Sequence, residues 1–315
     1  MSAQLLRVAV PLALGGVALA LLVVPSPALA WGPMAHLGFG VEALSRLASV
    51  PAPTRSLLSE LGNEFLYGSL AADIVVGKNL APYVYHCHNW RVGFNVLSAA
   101  RDAAERAFGL GFLAHLAADT VAHNYYVPYQ TVSSFHTPST GHAYWELRYD
   151  QRMDRDLSRV AREVSAPAYR GHDAFLRRAM PRRASVLPFP VTRTLFGSML
   201  ASARSGRFQA FSRGVLAPHR HLPLEADLLD DARELAVDAI LGLLTEGERC
   251  PAARADATGA KALRSAARLR RSLAAQHERL PLALAREVTL EARESFRRGL
   301  AGPLELPPGL RRMAA

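Results

Sequence analysis

The segment GFLAHLAADTVAHNYY, residues 111–126, constrains this chain more than any other. Its histidines and aspartate stand at a fixed four-residue step: His115, Asp119, His123. On an α-helix each such step advances only about 40°, so the three side chains fall along one face. Leu113, Leu116 and Ala117 flank them, which directs that face inward. Burying imidazole and carboxylate among apolar neighbours is costly unless something compensates. A core histidine bonded to a neighbouring acid is the plain solution for one pair. Three donors in register point instead to a divalent metal, zinc above all, for which imidazole and carboxylate are suited ligands.

The same step recurs in GHAYWELRYD, where His142 and Glu146 are four apart after Gly141. Two helices that each present such a pair can close a metal site between them. A solvated His–Glu pair on a helix surface is the alternative. Upstream, WGPMAHLGF supplies His36, SLAADIVVG supplies Asp73, and YHCHNW supplies His86, Cys87 and His88. Singly, each has an ordinary reading: Asp73 as a helix cap, His36 as a core histidine. Together the donors are too many for one tetrahedral zinc and suit two or three ions.

Between and after these donors, apolar residues recur at three- and four-residue steps over 34–48, 91–107, 107–126, 142–164, 223–245, 259–276 and 281–299. Prolines and glycines separate the stretches, and none alternates with a period of two. The expected fold class is all-α, a multi-helix bundle around one core. Residues 31–245 are expected to form the helical domain that holds the metal. Residues 246–315, richer in Ala and Arg, are expected as a helical extension, either an appended hairpin or a loosely held tail.

Residues 1–30 read differently. Arg7 precedes an apolar run from Val8 to Val24, and Ala28 and Ala30 follow Pro25 and Pro27. That pattern predicts a secretory signal peptide cleaved after Ala30. The mature chain would begin at Trp31 and be secreted or periplasmic. An uncleaved anchor is the alternative, weakened by Pro11, Gly15 and Gly16 within a short run.

This donor series resembles the zinc-dependent phospholipase C family, over residues 31–160 in its motifs and to about 245 in helical character. The resemblance implies an all-α fold with a trinuclear zinc site and hydrolysis of phospholipids. It implies that the amine and carbonyl of Trp31 bind zinc once the leader is gone. The further ligands it implies are His36, Asp73, His88 (with His86 as rival), His115, Asp119, His123, His142 and Glu146. Asp73 is implied as ligand and catalytic base, and Asp119 as a bridge between two metals. The short step from Asp119 to His123 is more similar to the N-terminal domain of glycosylphosphatidylinositol-specific phospholipase D than to the secreted toxins. No β-sandwich lipid-binding module follows.

Secreted single-strand nucleases of the same superfamily are a rival reading. The tight Trp31–His36 spacing favours it, and Glu146, where those nucleases usually carry Asp, opposes it. A non-catalytic zinc-binding envelope protein is the third possibility. Composition helps little in choosing. The formal charge is +10, but only Lys78 and Lys261 are lysines among 37 basic residues, which looks like a codon-composition effect. If the arginines act, they draw the protein to an anionic membrane surface in a salt-sensitive way. Nucleic acid is the less favoured partner, and no protein partner is inferred. Two cysteines exclude a disulfide scaffold. Cys87 reads as a metal ligand, a partner for Cys250 or a buried thiol. Tyr125, Tyr126, Tyr129 and Phe135 read either as a lip for lipid or as core packing.

Overall fold

Helices begin where the sequence supplies caps. Pro33 stands in the first turn of α1 (Pro33–Ser45), where its missing N–H costs nothing. The Asn89 side chain accepts the N–H of Arg91 at the start of α4 (Trp90–Ser98). Asp102 accepts the N–H of Glu105 at 2.8 Å and starts α5 (Ala103–Val121).

The computed structural model describes residues 31–75, 82–137, 142–154, 156–166, 169, 171–185, 187–203, 224–276 and 281–313. Among these the fold is all-α, without a strand. Between α1 and α4 lie α2 (Ala52–Glu60) and α3 (Gly62–Ala71). After α5 come α6 (Val127–Ser133), α7 (His142–Asp150), α8 (Leu157–Val164), α9 (Gly171–Ala179) and α10 (Phe189–Ala203). The chain closes with α11 (Ala226–Glu246), α12 (Pro251–Arg254), α13 (Ala260–Gln276), α14 (Leu282–Arg298) and α15 (Pro308–Met313). The stretch 142–164 is two helices rather than one, because the polar run 151–156 interrupts it. The predicted leader, residues 1–30, lies outside the described residues. No helix among the described residues is long and apolar enough to cross a membrane.

Helix α5 is the axis of the molecule. Every residue from Ala107 to Val121 is buried, so it is apolar on all sides except for its donors. Its closest neighbour is α3, and two glycines make the approach possible. A Cβ on Gly68 would collide with the carbonyl oxygen of Phe108, and one on Gly111 with that of Phe65. Phe65, Phe108 and Phe112 fill the surrounding space, fully buried. Each contributes on the order of 1.5–3 kcal/mol by leaving water. The crossing places Asp73, just past the end of α3, beside the donors of α5.

The C-terminal residues share this core. Ala262, Ala266, Leu269 and Leu273 of α13, Phe296 of α14 and Leu310 of α15 are buried in the same cluster as α5. Helix α13 packs on α6, the helix that follows His123.

Candidate metal centre

Five of the donors read from the sequence converge where α1, α5 and the segments after α3 and before α4 meet. His36 Nε2 lies 3.2 Å from Asp119 Oδ1. His88 Nε2 and His115 Nε2 lie 2.9 and 3.2 Å from Asp119 Oδ2. Asp73 Oδ1 stands 3.6 Å from His88 Nε2 and 3.9 Å from His115 Nε2. The rings of His36 and His115 stack with centroids 3.7 Å apart. Asp119 therefore offers one oxygen to His36 and the other to the His88–His115–Asp73 group. All five residues are buried.

At the Asp119 oxygens the short distances are not hydrogen bonds. His36 Nε2 and both Asp119 oxygens make none, although nitrogen and oxygen are within reach of each other. The Nε2 atoms of His88 and His115 are themselves 3.0 Å apart. His115 Nδ1 sits 2.8 Å from the carbonyl of Ser69, which can only accept, so the proton is on Nδ1 and the lone pair is on Nε2. Lone pairs crowded together out of water are what a shared cation relieves. The residues present thus fit zinc. His36, His115 and Asp119 can share an ion, and so can Asp73, His88 and His115.

The electrostatics agree. Burial works to raise the Asp119 carboxyl. His115, with His36 and His88, overrides it and holds the carboxyl well below the usual carboxylate range. Burial, then the neighbouring His115, lowers His36 against the opposing pull of Asp119. Neutral imidazole and ionised carboxylate are the forms that ligate metal.

His123 does not join this group. Helix α5 ends at Val121, and residues Ala122–Tyr126 form a π-turn. The π-turn changes the angular step per residue, and His123 is aimed elsewhere. Its Nε2 lies 3.9 Å from Glu146 Oε1 on α7. The ladder expected to act as one face is therefore split between two places. His142 starts α7, four residues before Glu146, but its side chain lies outside the described residues.

Trp31 is buried, with its indole N–H donated to the carbonyl of Ala118 at 2.9 Å and its ring stacked on Tyr126. That anchors it next to Asp119. His86, Cys87 and His88 also bring ligand atoms within 4.8 Å of one another, but the two histidines bond differently. His86 Nδ1 accepts the backbone N–H of His88 at 3.1 Å, so the neutral ring carries its proton on Nε2. His88 instead directs Nε2 at Asp119 and has Nδ1 3.2 Å from Cys87 Sγ. Cys87 and Cys250 are both buried and not disulfide-bonded. Of the two readings of the aromatic segment, core packing holds for Tyr125, Tyr126 and Tyr129, which are buried with hydroxyls bonded to Asp231, the Trp145 carbonyl and Glu225.

Two features were not anticipated. Asp150 accepts the N–H groups of Ala35 and Met34 at 2.8 and 3.3 Å, capping α1 beside Gly32. Burial raises its carboxyl to about 7. The signal was present, because His142, Glu146 and Asp150 repeat the four-residue step of α5. The second is the Ala257 carbonyl, 2.6 Å from His123 Nδ1. A backbone oxygen leaves no such trace in sequence.

A family model, zinc dependent phospholipase C, matches residues 35–182. Over that span, just under half of the chain, the sequence is similar to the zinc-dependent phospholipase C family. The span carries every candidate donor except Trp31, which lies just before it. Helices α10 to α15 lie beyond it. No curated protein and no solved structure matches the chain.

Proposed function

We propose that this chain is a secreted phosphodiesterase of the zinc-dependent phospholipase C family that hydrolyses phospholipids to diacylglycerol and a phosphorylated head group. The observation that carries the reading is the convergence of His36, His88 and His115 on the two oxygens of Asp119, which make no hydrogen bond, with Asp73 beside His88 and His115. Zinc held there supplies charge neutralisation for a phosphodiester and activation of water near neutral pH.

Three groups of residues would hold three ions. Asp73, His88, His115 and the Oδ2 side of Asp119 form one. His36, the Oδ1 side of Asp119 and the main chain of Trp31 form the second. His123 and Glu146 form the third, to which the family resemblance adds His142. Asp119 would bridge the first two groups. Asp73 would act as ligand and as base, taking a proton from attacking water. The buried indole of Trp31, anchored to the carbonyl of Ala118 next in sequence to Asp119, supports cleavage after Ala30. Exposed Tyr83 and Val84, in the turn leading to His86–His88, support a lipid substrate and contact with a membrane surface.

The test uses the mature protein, with its N-terminus sequenced and its zinc counted. Phosphatidylcholine vesicles and single-stranded DNA are offered in parallel. Release of phosphocholine, abolished by chelator and restored by zinc, is the expected result. Turnover of DNA alone, or fewer than one zinc per chain, overturns the reading.

A further inference from the structure

The strongest feature outside the family match is a five-residue turn, Ala255 to Gly259, between α12 and α13. It touches the surroundings of the metal centre at four points. The Ala257 carbonyl meets His123 Nδ1 at 2.6 Å. The Asp256 carbonyl accepts from Asn124 Nδ2 at 2.8 Å, and that same amide donates to Thr120 O at 2.9 Å. The Ala255 carbonyl accepts the indole N–H of Trp90 at 2.8 Å, two residues after His88. Tyr83, in the turn leading to His86–His88, donates its hydroxyl to Asp256 Oδ1 at 3.2 Å.

The turn is built to hold that shape. The Asp256 carboxylate accepts the N–H groups of Thr258 and Ala260, at 3.0 and 3.2 Å, and the Thr258 hydroxyl. Gly259 has φ +57°, a conformation costly for any residue with a side chain. A Cβ there would also overlap the backbone and side chain of His123. Backbone presses directly on the donor, with no room between.

We propose that the turn Ala255–Gly259 is a positioning element of the metal centre, which fixes the His123 ring with Nδ1–H on Ala257 and Nε2 presented towards Glu146. The proposal rests on the reading of His123 and Glu146 as ligands. A carbonyl can only accept, so the ring proton is on Nδ1 and the lone pair is on Nε2. Partners of this kind orient a liganding imidazole and raise its basicity, and their loss typically costs about 10–100-fold in metal affinity. The C-terminal region would then be part of the centre rather than an appendage to it.

The test uses the full mature chain and three variants. Gly259→Ala drives a methyl into His123. Asp256→Ala unties the turn without adding bulk. Asp256→Asn keeps an acceptor oxygen and serves as the conservative control. Ring-proton positions are read by nitrogen-edited NMR without metal, and zinc is read by equilibrium dialysis. The wild type is expected to show His123 as the Nδ1–H form. Gly259→Ala and Asp256→Ala are expected to lose that form and to weaken one zinc by tenfold or more, with the remaining zinc unchanged. Asp256→Asn should stay near wild type. A wild-type Nε2–H form overturns the proposal. So does unchanged zinc affinity in Asp256→Ala, which decides the matter if Gly259→Ala does not fold. A wild-type chain that binds no zinc overturns the function reading instead, and the ring-proton measurement still decides this one.

Discussion

Asp119 Oδ2 lies 2.9 Å from His88 Nε2, yet no hydrogen bond satisfies either Asp119 oxygen. A carboxylate at the centre of three imidazoles, wholly out of water, is a poor arrangement for the protein alone. It becomes a good one with cations between the groups. The first prediction follows from the two faces of Asp119. Asp119→Asn should lose two of three zinc ions and lower phosphodiester turnover by at least about a hundredfold. Atomic absorption on the dialysed protein checks the first part. Retention of full zinc would show that the oxygens do not bind metal.

Glu146 gives a narrower effect. It faces His123, 3.9 Å away. Glu146→Gln is therefore expected to remove one zinc only, leaving the ions on either side of Asp119. Loss of all zinc in this variant would contradict two spatially separate groups of donors.

Much of this centre was legible because helix periodicity is local. A four-residue step puts His115 and Asp119 on one face whatever the rest of the chain does, and the structure keeps them together. His123 continues the step in sequence but not in space, because the π-turn after Val121 depends on what packs beyond it. Tyr125, Tyr126 and Tyr129 carry polar ends and could be read as a surface lip. Their hydroxyls find partners on α7, α11 and the loop before α11, and only the fold reveals those. The Ala257 carbonyl had no signature at all, since every residue has one. Asp150 was readable but lay past the ligand pair that ended the motif.

Asp150 makes a prediction about pH. Its carboxyl ionises at about 7 in the fold, raised by burial from an ordinary value of 3.8. Between those values the folded chain binds the extra proton, so this group's contribution falls as pH rises, by up to about 1.4 kcal/mol per pH unit. Below about pH 4 the contribution is fully present, and above about 7 it is gone. Urea unfolding of the metal-free protein between pH 4 and 8 should show this fall relative to Asp150→Asn. Parallel stability curves for the two proteins would refute it.

The last prediction concerns Arg270 on α13, buried and bonded to no acid in the structure described. Its Nη1 donates to the carbonyls of Thr131 and Ser134, at 3.2 and 2.7 Å, and to the Ser134 hydroxyl at 2.9 Å. Its Nη2 donates to the carbonyl of Thr137. Burial lowers its pKa, yet an arginine stays charged. The guanidinium thus adds charged donors to the carbonyls at the end of α6 and in the loop leading on towards His142. Arg270→Ala removes these charge-assisted bonds from a part-buried site and is expected to destabilise the protein by about 3 kcal/mol. Arg270→Lys keeps the charge but not the planar fork, so it should recover only part of the loss. Denaturant midpoints for the three proteins rank the effects. An alanine variant within about 0.5 kcal/mol of wild type, the range of an ordinary surface change, would mean that water replaces the guanidinium and that α13 does not secure this loop.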